Sequence, residues 1–131
     1  MHVVFVCDAA AARAPLAEAI GRHLAPQHAF TGCGLRPSHV RPEAHTVLEE
    51  EGIPTSGLRA RGLNAVDWDD VDLAVALAPE ASEAALPGPA RRLSWHLPDP
   101  CAAPEEERLE VARSTRDELT RRIRALVAEH A

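Results

Sequence analysis

Cys7 and Arg13 stand five residues apart in "VVFVCDAAAARAPLAEA", and Asp99 stands far downstream in "WHLPDP". A thiol at the end of an apolar run, a short loop and an arginine make a plausible oxyanion site. Backbone N–H groups of such a loop can converge on an anion, and the N-terminus of a following helix adds its dipole. The cysteine supplies a nucleophile, since the thiolate is the attacking species. The arginine can hold two oxygens of a tetrahedral anion bidentately as charge develops. An environment of N–H groups and a guanidinium is expected to lower the Cys7 pKa to around 3.5–7.5. The loop itself, Asp8, Ala9, Ala10, Ala11, Ala12 and Arg13, is nearly stripped of side chains, as suits a loop that acts through its backbone.

These residues need a frame. "HVVFVC" (2–7), "HAFTGC" (28–33), "DLAVALA" (72–78) and "RRLSW" (91–95) read as four strands, rich in apolar and β-branched residues. Helices are expected between them. One starts near Pro15, carries Leu16, Ile20, His23 and Leu24 on one stripe and stops at Pro26. A second opens at Pro42, buries Ala44, Val47 and Leu48, and is capped by Gly52. A short third follows Pro79. The last opens at Pro104 with Glu105, Glu106 and Glu107, has Leu119, Ile123, Leu126 and Val127 as its buried stripe, and ends among Arg121, Arg122 and Arg124. Alternating strands and helices imply an α/β fold, a parallel sheet with helices on both faces. Such sheets bind ligands at the carboxyl ends of their strands. That rule puts Cys7, Cys33, Asp99 and Cys101 on one rim.

The chain has 131 residues, 46% of them hydrophobic, and is expected to form one domain over 1–131. All 14 basic residues are arginine and the net charge is −6, a poor match to a nucleic-acid-binding surface. Three widely spaced cysteines form neither a disulfide framework nor a zinc pattern. A cytoplasmic setting is expected, with no membrane segment, no signal peptide, no metal and no cofactor. Asp67, Asp69, Asp70 and Asp72 read as a solvated turn.

Taken together, "VVFVC.....R.PLAEA", "GCGLRP", "GIPTSGLRARGL", "DLAVALA", "WHLPDP" and "TRDELTRRIRALV" resemble the low-molecular-weight protein tyrosine phosphatases and their sister arsenate reductases, over about residues 2–130. The resemblance implies a three-layer sandwich with a four-stranded sheet of order 2-1-3-4. It implies Cys7 as nucleophile, Arg13 as phosphate-binding residue and Asp99 as general acid and then base. The leading expectation is hydrolysis of phosphate monoesters, of the phosphotyrosine class, through a cysteinyl-phosphate. The alternatives are arsenate reduction with a thiol reductant and a weakened oxyanion- or protein-binding module. Cys33 and Cys101 are candidates for a resolving thiol. Related reductases carry extra cysteines after the third strand, where this chain reads "LAPEASEAALPG" and has none.

The chain also departs from the family loop, which reads Cys-x-Gly-Asn-x-Cys-Arg-Ser-Pro. Alanine stands at each of Ala9, Ala10, Ala12 and Ala14 in place of glycine, asparagine, cysteine and serine. Gly32 stands where the family places the serine that braces the asparagine. Three expectations follow: a positive φ at Ala9, a loosened anion site, and a gain in activity when asparagine at 10 and serine at 32 are restored together. Asp8 adds a negative charge beside the anion. The family's tyrosines after the Asp-Pro are missing, since the chain has no tyrosine.

Overall fold

The computed structural model describes residues 1–130. Its elements run β1 (His2–Cys7), α1 (Arg13–Leu24), β2 (Ala29–Gly34), α2 (Pro42–Glu50), β3 (Leu73–Ala76), α3 (Pro79–Glu83), β4 (Arg91–Ser94) and α4 (Arg108–Glu129). The strands form one parallel sheet of order β2-β1-β3-β4. β1 is central and buried on both faces, which is why "VVFVC" is uninterrupted by polar residues.

One face of the sheet carries Val3, Phe5 and Cys7 beneath α1 and α4, with Leu16, Ile20, Leu119 and Ile123 fully buried against it. The opposite face carries Val4, Val6, Ala74 and Ala76, covered by Ala81 of α3 and by Val66, Trp68 and Val71 from the segment before β3. That second cover is thin: a five-residue helix and two 3-10 turns, Leu63–Ala65 and Trp68–Asp70.

Several sequence expectations are adjusted. β2 begins at Ala29 and includes Gly34, so the glycine lies inside the strand instead of stopping it. α1 begins at Arg13, two residues before Pro15, because a proline in the first turn needs no N–H partner. His23 is exposed and Val127 only half-buried, while Arg116 joins the buried face of α4. Arg116 is held there by Val47 O and Glu50, at 2.9 Å each. Glu105–Glu107 form a separate 3-10 turn ahead of α4. No helix among the described residues is long and apolar enough to cross a membrane.

Candidate active site

Residues 8–12 leave the end of β1 as a bend, and α1 starts immediately after them. Three backbone hydrogen bonds tie Cys7 and the loop to the segment after β2. Leu35 N donates to Cys7 O at 3.1 Å, Arg36 N to Asp8 O at 2.9 Å, and Arg41 N to Ala11 O at 2.9 Å. Of the loop's N–H groups, Ala9 N is taken by the Asp8 carboxylate and Ala10 N by the thiol. Ala10 N donates to Cys7 Sγ at 3.1 Å, and the backbone of Ala14 also bonds the thiol.

The left-handed residue is Ala10, with φ 52°, and not Ala9 as the sequence implied. A turn at residue 10 aims its own N–H at the sulfur, while Ala9 N donates to Asp8 Oδ1 at 2.9 Å. Alanine pays roughly 1–2 kcal/mol for that conformation. Ala10 is buried against Gly34, whose lack of a side chain admits it: a Cβ at Gly34 would lie 2.5 Å from Ala10 N.

The guanidinium of Arg13 is buried and contacts three groups. Its Nη1 donates to Leu97 O at 3.1 Å, its Nη2 donates to Asp8 Oδ1 at 2.9 Å, and Asp99 Oδ2 lies 3.6 Å from Nη2. Asp99 is carried by the loop after β4, where its Oδ1 accepts from Cys101 N at 2.9 Å. The fold therefore gathers Cys7, Asp8, Arg13 and Asp99 at the carboxyl end of β1. An oxyanion seated there would meet the thiol, the guanidinium and the carboxyl group together.

The expected depression of the Cys7 pKa is overturned. Burial pushes the thiol up, and this outweighs the backbone N–H groups of Ala14 and Ala10 and the charge of Arg13; Asp8 adds to the rise. The sequence displayed the donors but not the depth: Cys7 is 1% exposed.

Cys33 is not positioned as a resolving thiol. It pairs with Val6 in the sheet and so shares that residue's face, opposite to Cys7, because side chains alternate along a strand. Burial, and then Cys7, push its pKa up to about 12. Cys101 lies on the turn that carries Asp99, and burial, followed by the Asp99 charge, raises its thiol to about 11.

The missing brace has a structural counterpart. Glu18, fully buried on α1, accepts from Gly32 N at 2.7 Å and from Arg61 at 2.6 Å, and lies 3.1 Å from Arg22. It satisfies an outward N–H of the edge strand β2 and ties α1 to the loop at 61, whose carbonyl takes Gly34 N at 2.8 Å. The sequence signal was a glutamate in the apolar "PLAEA", which needs a partner if buried. Arg36, in "GCGLRP", carries no such signal in the sequence.

Gly32 corrects the proposed repair. A Cβ there would lie 2.6 Å from Ala14 O and 2.9 Å from Ala14 C, both backbone atoms. Gly32→Ser should therefore destabilise the fold by about 1–3 kcal/mol, with or without asparagine at 10, instead of restoring activity. Chemical denaturation of the single and double variants checks this, and wild-type stability of Gly32→Ser would refute it.

A four-stranded parallel α/β sheet with a cysteine-to-arginine loop at the end of its first strand and an aspartate over that loop defines a class of oxyanion-handling enzymes. The profile of the family described as "Low molecular weight phosphotyrosine protein phosphatase" matches residues 2–131, and the chain belongs to this family. It is 31% identical to the glutaredoxin arsenate reductase of Synechocystis sp., over 97% of this chain and 96% of that one. It is 34% identical to the low molecular weight protein-tyrosine-phosphatase YfkJ of Bacillus subtilis, over 61% of this chain and 58% of that one. Among solved structures, an arsenate reductase in the phosphate-binding state superposes with a TM-score of 0.80 at 30% identity, covering 99% of this chain and 98% of that chain. The low molecular weight protein tyrosine phosphatase from T. tengcongensis superposes with a TM-score of 0.83 at 27% identity, covering 98% and 99%.

Proposed function

We propose that this protein is an arsenate reductase in which Cys7 is the nucleophile and an external thiol is the reductant. The observation that carries this reading is the placement of the aromatic residues. Phe5 and Phe30 stack in the core with centroids 6.2 Å apart, Trp95 packs 6.1 Å from Phe5, and Trp68 is buried on the other face with Nε1 on Leu63 O. The chain has no tyrosine, Phe5, Phe30 and Trp68 are buried, and the half-buried Trp95 lines a hollow against Arg122 and Leu126 of α4 and not the Cys7–Arg13 loop, so neither a phenylalanine nor a tryptophan lines that loop to grip a phosphotyrosine ring. A small inorganic oxyanion needs no such grip. The similarity to arsenate reductases over nearly the whole chain supports the same choice.

In this reading the Cys7 thiol gives its proton to the entering arsenate dianion and attacks arsenic as the thiolate, and an arsenate hydroxyl leaves as water with a proton from Asp99. The external thiol then attacks Cys7 Sγ. The sulfur–arsenic bond breaks with its electron pair kept by arsenic, which falls from As(V) to As(III) and departs as arsenite, taking up the thiol's proton. Cys7 is left in a mixed disulfide, and a second thiol reduces it. The reductant in this reading is external, since Cys33 faces the opposite side of the sheet from Cys7 and the segment after β3 holds no cysteine. A glutaredoxin-class thiol is the implied partner.

Hydrolysis of phosphate monoesters is the second reading, favoured by Asp99 lying 3.6 Å from Arg13, where it could protonate a leaving alcohol. Parallel assays decide between them. Thiol-dependent arsenate reduction should exceed aryl phosphate hydrolysis in kcat/KM by at least about tenfold, which corresponds to about 1.4 kcal/mol of transition-state stabilisation. The reverse ranking establishes the phosphatase reading. Absence of both leaves an oxyanion-binding module.

A further inference from the structure

Asp8 is fixed in the mouth of the loop by donors on every side. Its Oδ1 accepts from Ala9 N and Arg13 Nη2, both at 2.9 Å, and its Oδ2 lies 3.4 Å from Arg36 Nη2. Its carbonyl holds Arg36 N at 2.9 Å, and Arg36 is anchored in turn on Glu80. These contacts hold the carboxylate beside Arg13. Its side chain is 25% exposed, and it shares one guanidinium nitrogen with Asp99. An anion held by Arg13 beside Cys7 must come against Asp8.

A carboxylate only accepts hydrogen bonds. An anion oxygen facing it must carry a proton, or two negative oxygens oppose each other. Arsenate and inorganic phosphate keep at least one hydroxyl at neutral pH. Sulfate has none, and neither does a fully ionised phosphate monoester. We propose that Asp8 is a specificity-determining residue that selects hydroxyl-bearing inorganic oxyanions by accepting a hydrogen bond from the bound anion. This rests on the oxyanion site of the proposed function and deepens it. Asp8 favours free arsenate over ionised esters and sulfate.

The test is calorimetric titration of the reduced protein with inorganic phosphate and with sulfate at neutral pH and fixed ionic strength. Phosphate should bind at least about tenfold more tightly than sulfate, the scale of one hydrogen bond to a charged group. Asp8→Asn removes the charge and offers an amide donor, so the gap should close, mainly through tighter sulfate binding. Asp8→Ser should also close it and serves if asparagine unsettles the loop. Asp99→Asn is measured alongside, because that carboxyl group lies on the same Arg13 nitrogen. The proposal is overturned if the wild type binds both anions equally or binds neither, if the gap persists in both Asp8 variants, or if it closes only in Asp99→Asn. A gap that closes in the Asp8 variants of a protein that reduces no arsenate supports the proposal and removes the reductase reading alone. Arsenate reduction without the gap does the reverse.

Discussion

Cys7→Ser should lower thiol-dependent arsenate turnover by at least about 10⁴-fold, the scale seen when a covalent nucleophile is removed. Two steps fail together. A serine hydroxyl beside Ala10 N and Ala14 is a far weaker nucleophile than a thiolate. It also has no sulfur for the external thiol to attack, so electrons have no path to arsenic. The loop backbone, Arg13 and Asp8 are untouched, so phosphate should still bind. Retention of more than about a hundredth of wild-type turnover would remove Cys7 from the mechanism. The raised Cys7 pKa gives the experiment a second readout, with a defined sign. In the anion-free protein the thiol stays protonated at neutral pH, so the thiolate fraction grows as pH rises toward its pKa. Alkylation of Cys7 by iodoacetamide should be slow at pH 7 and inflect above 9.0, the ordinary thiol value. An inflection below that value would mean the N–H groups and Arg13 outweigh burial.

Asp99→Asn is expected to slow turnover by about 10²–10⁴-fold, the usual contribution of a positioned general acid. The substitution keeps the shape and can still accept from Cys101 N, so the turn over Pro100–Ala102 should survive. It cannot deliver a proton to the departing oxygen. The loss should fall on kcat more than on oxyanion affinity, since Arg13 and the loop still hold the anion. Stopped-flow or steady-state assays across pH, paired with phosphate titration, separate the two. An unchanged rate at the pH optimum would exclude Asp99 as the acid. In the phosphatase reading the same variant loses aryl phosphate hydrolysis by the same route, so the prediction does not depend on which substrate prevails.

Much of the architecture was legible before any coordinates. The unbroken "VVFVC" implies a strand buried on both faces, and prolines 42 and 79 each open a helix, because backbone constraints and apolar patterning act locally. Cys7, Arg13 and Asp99 could be named because a strand, a tight loop and a helix N-terminus already constrain what sits between them. Other decisions belong to distant parts of the chain. Cys33 lies one residue off the register that would put it beside Cys7, and a shift of one residue in a strand exchanges the two faces of the sheet. The Cys7 pKa follows burial beneath residues far away in sequence, and desolvation is a property of the assembled interior. The space at Gly32 is set by the backbone of Ala14 on α1, a close approach that the local sequence does not display. Asp8 looked from the sequence like a simple repulsive charge. Only the tertiary structure sets it between Arg13 and Arg36, because the second arginine comes from the segment after β2 and meets the loop through the parallel pairing of β1 and β2.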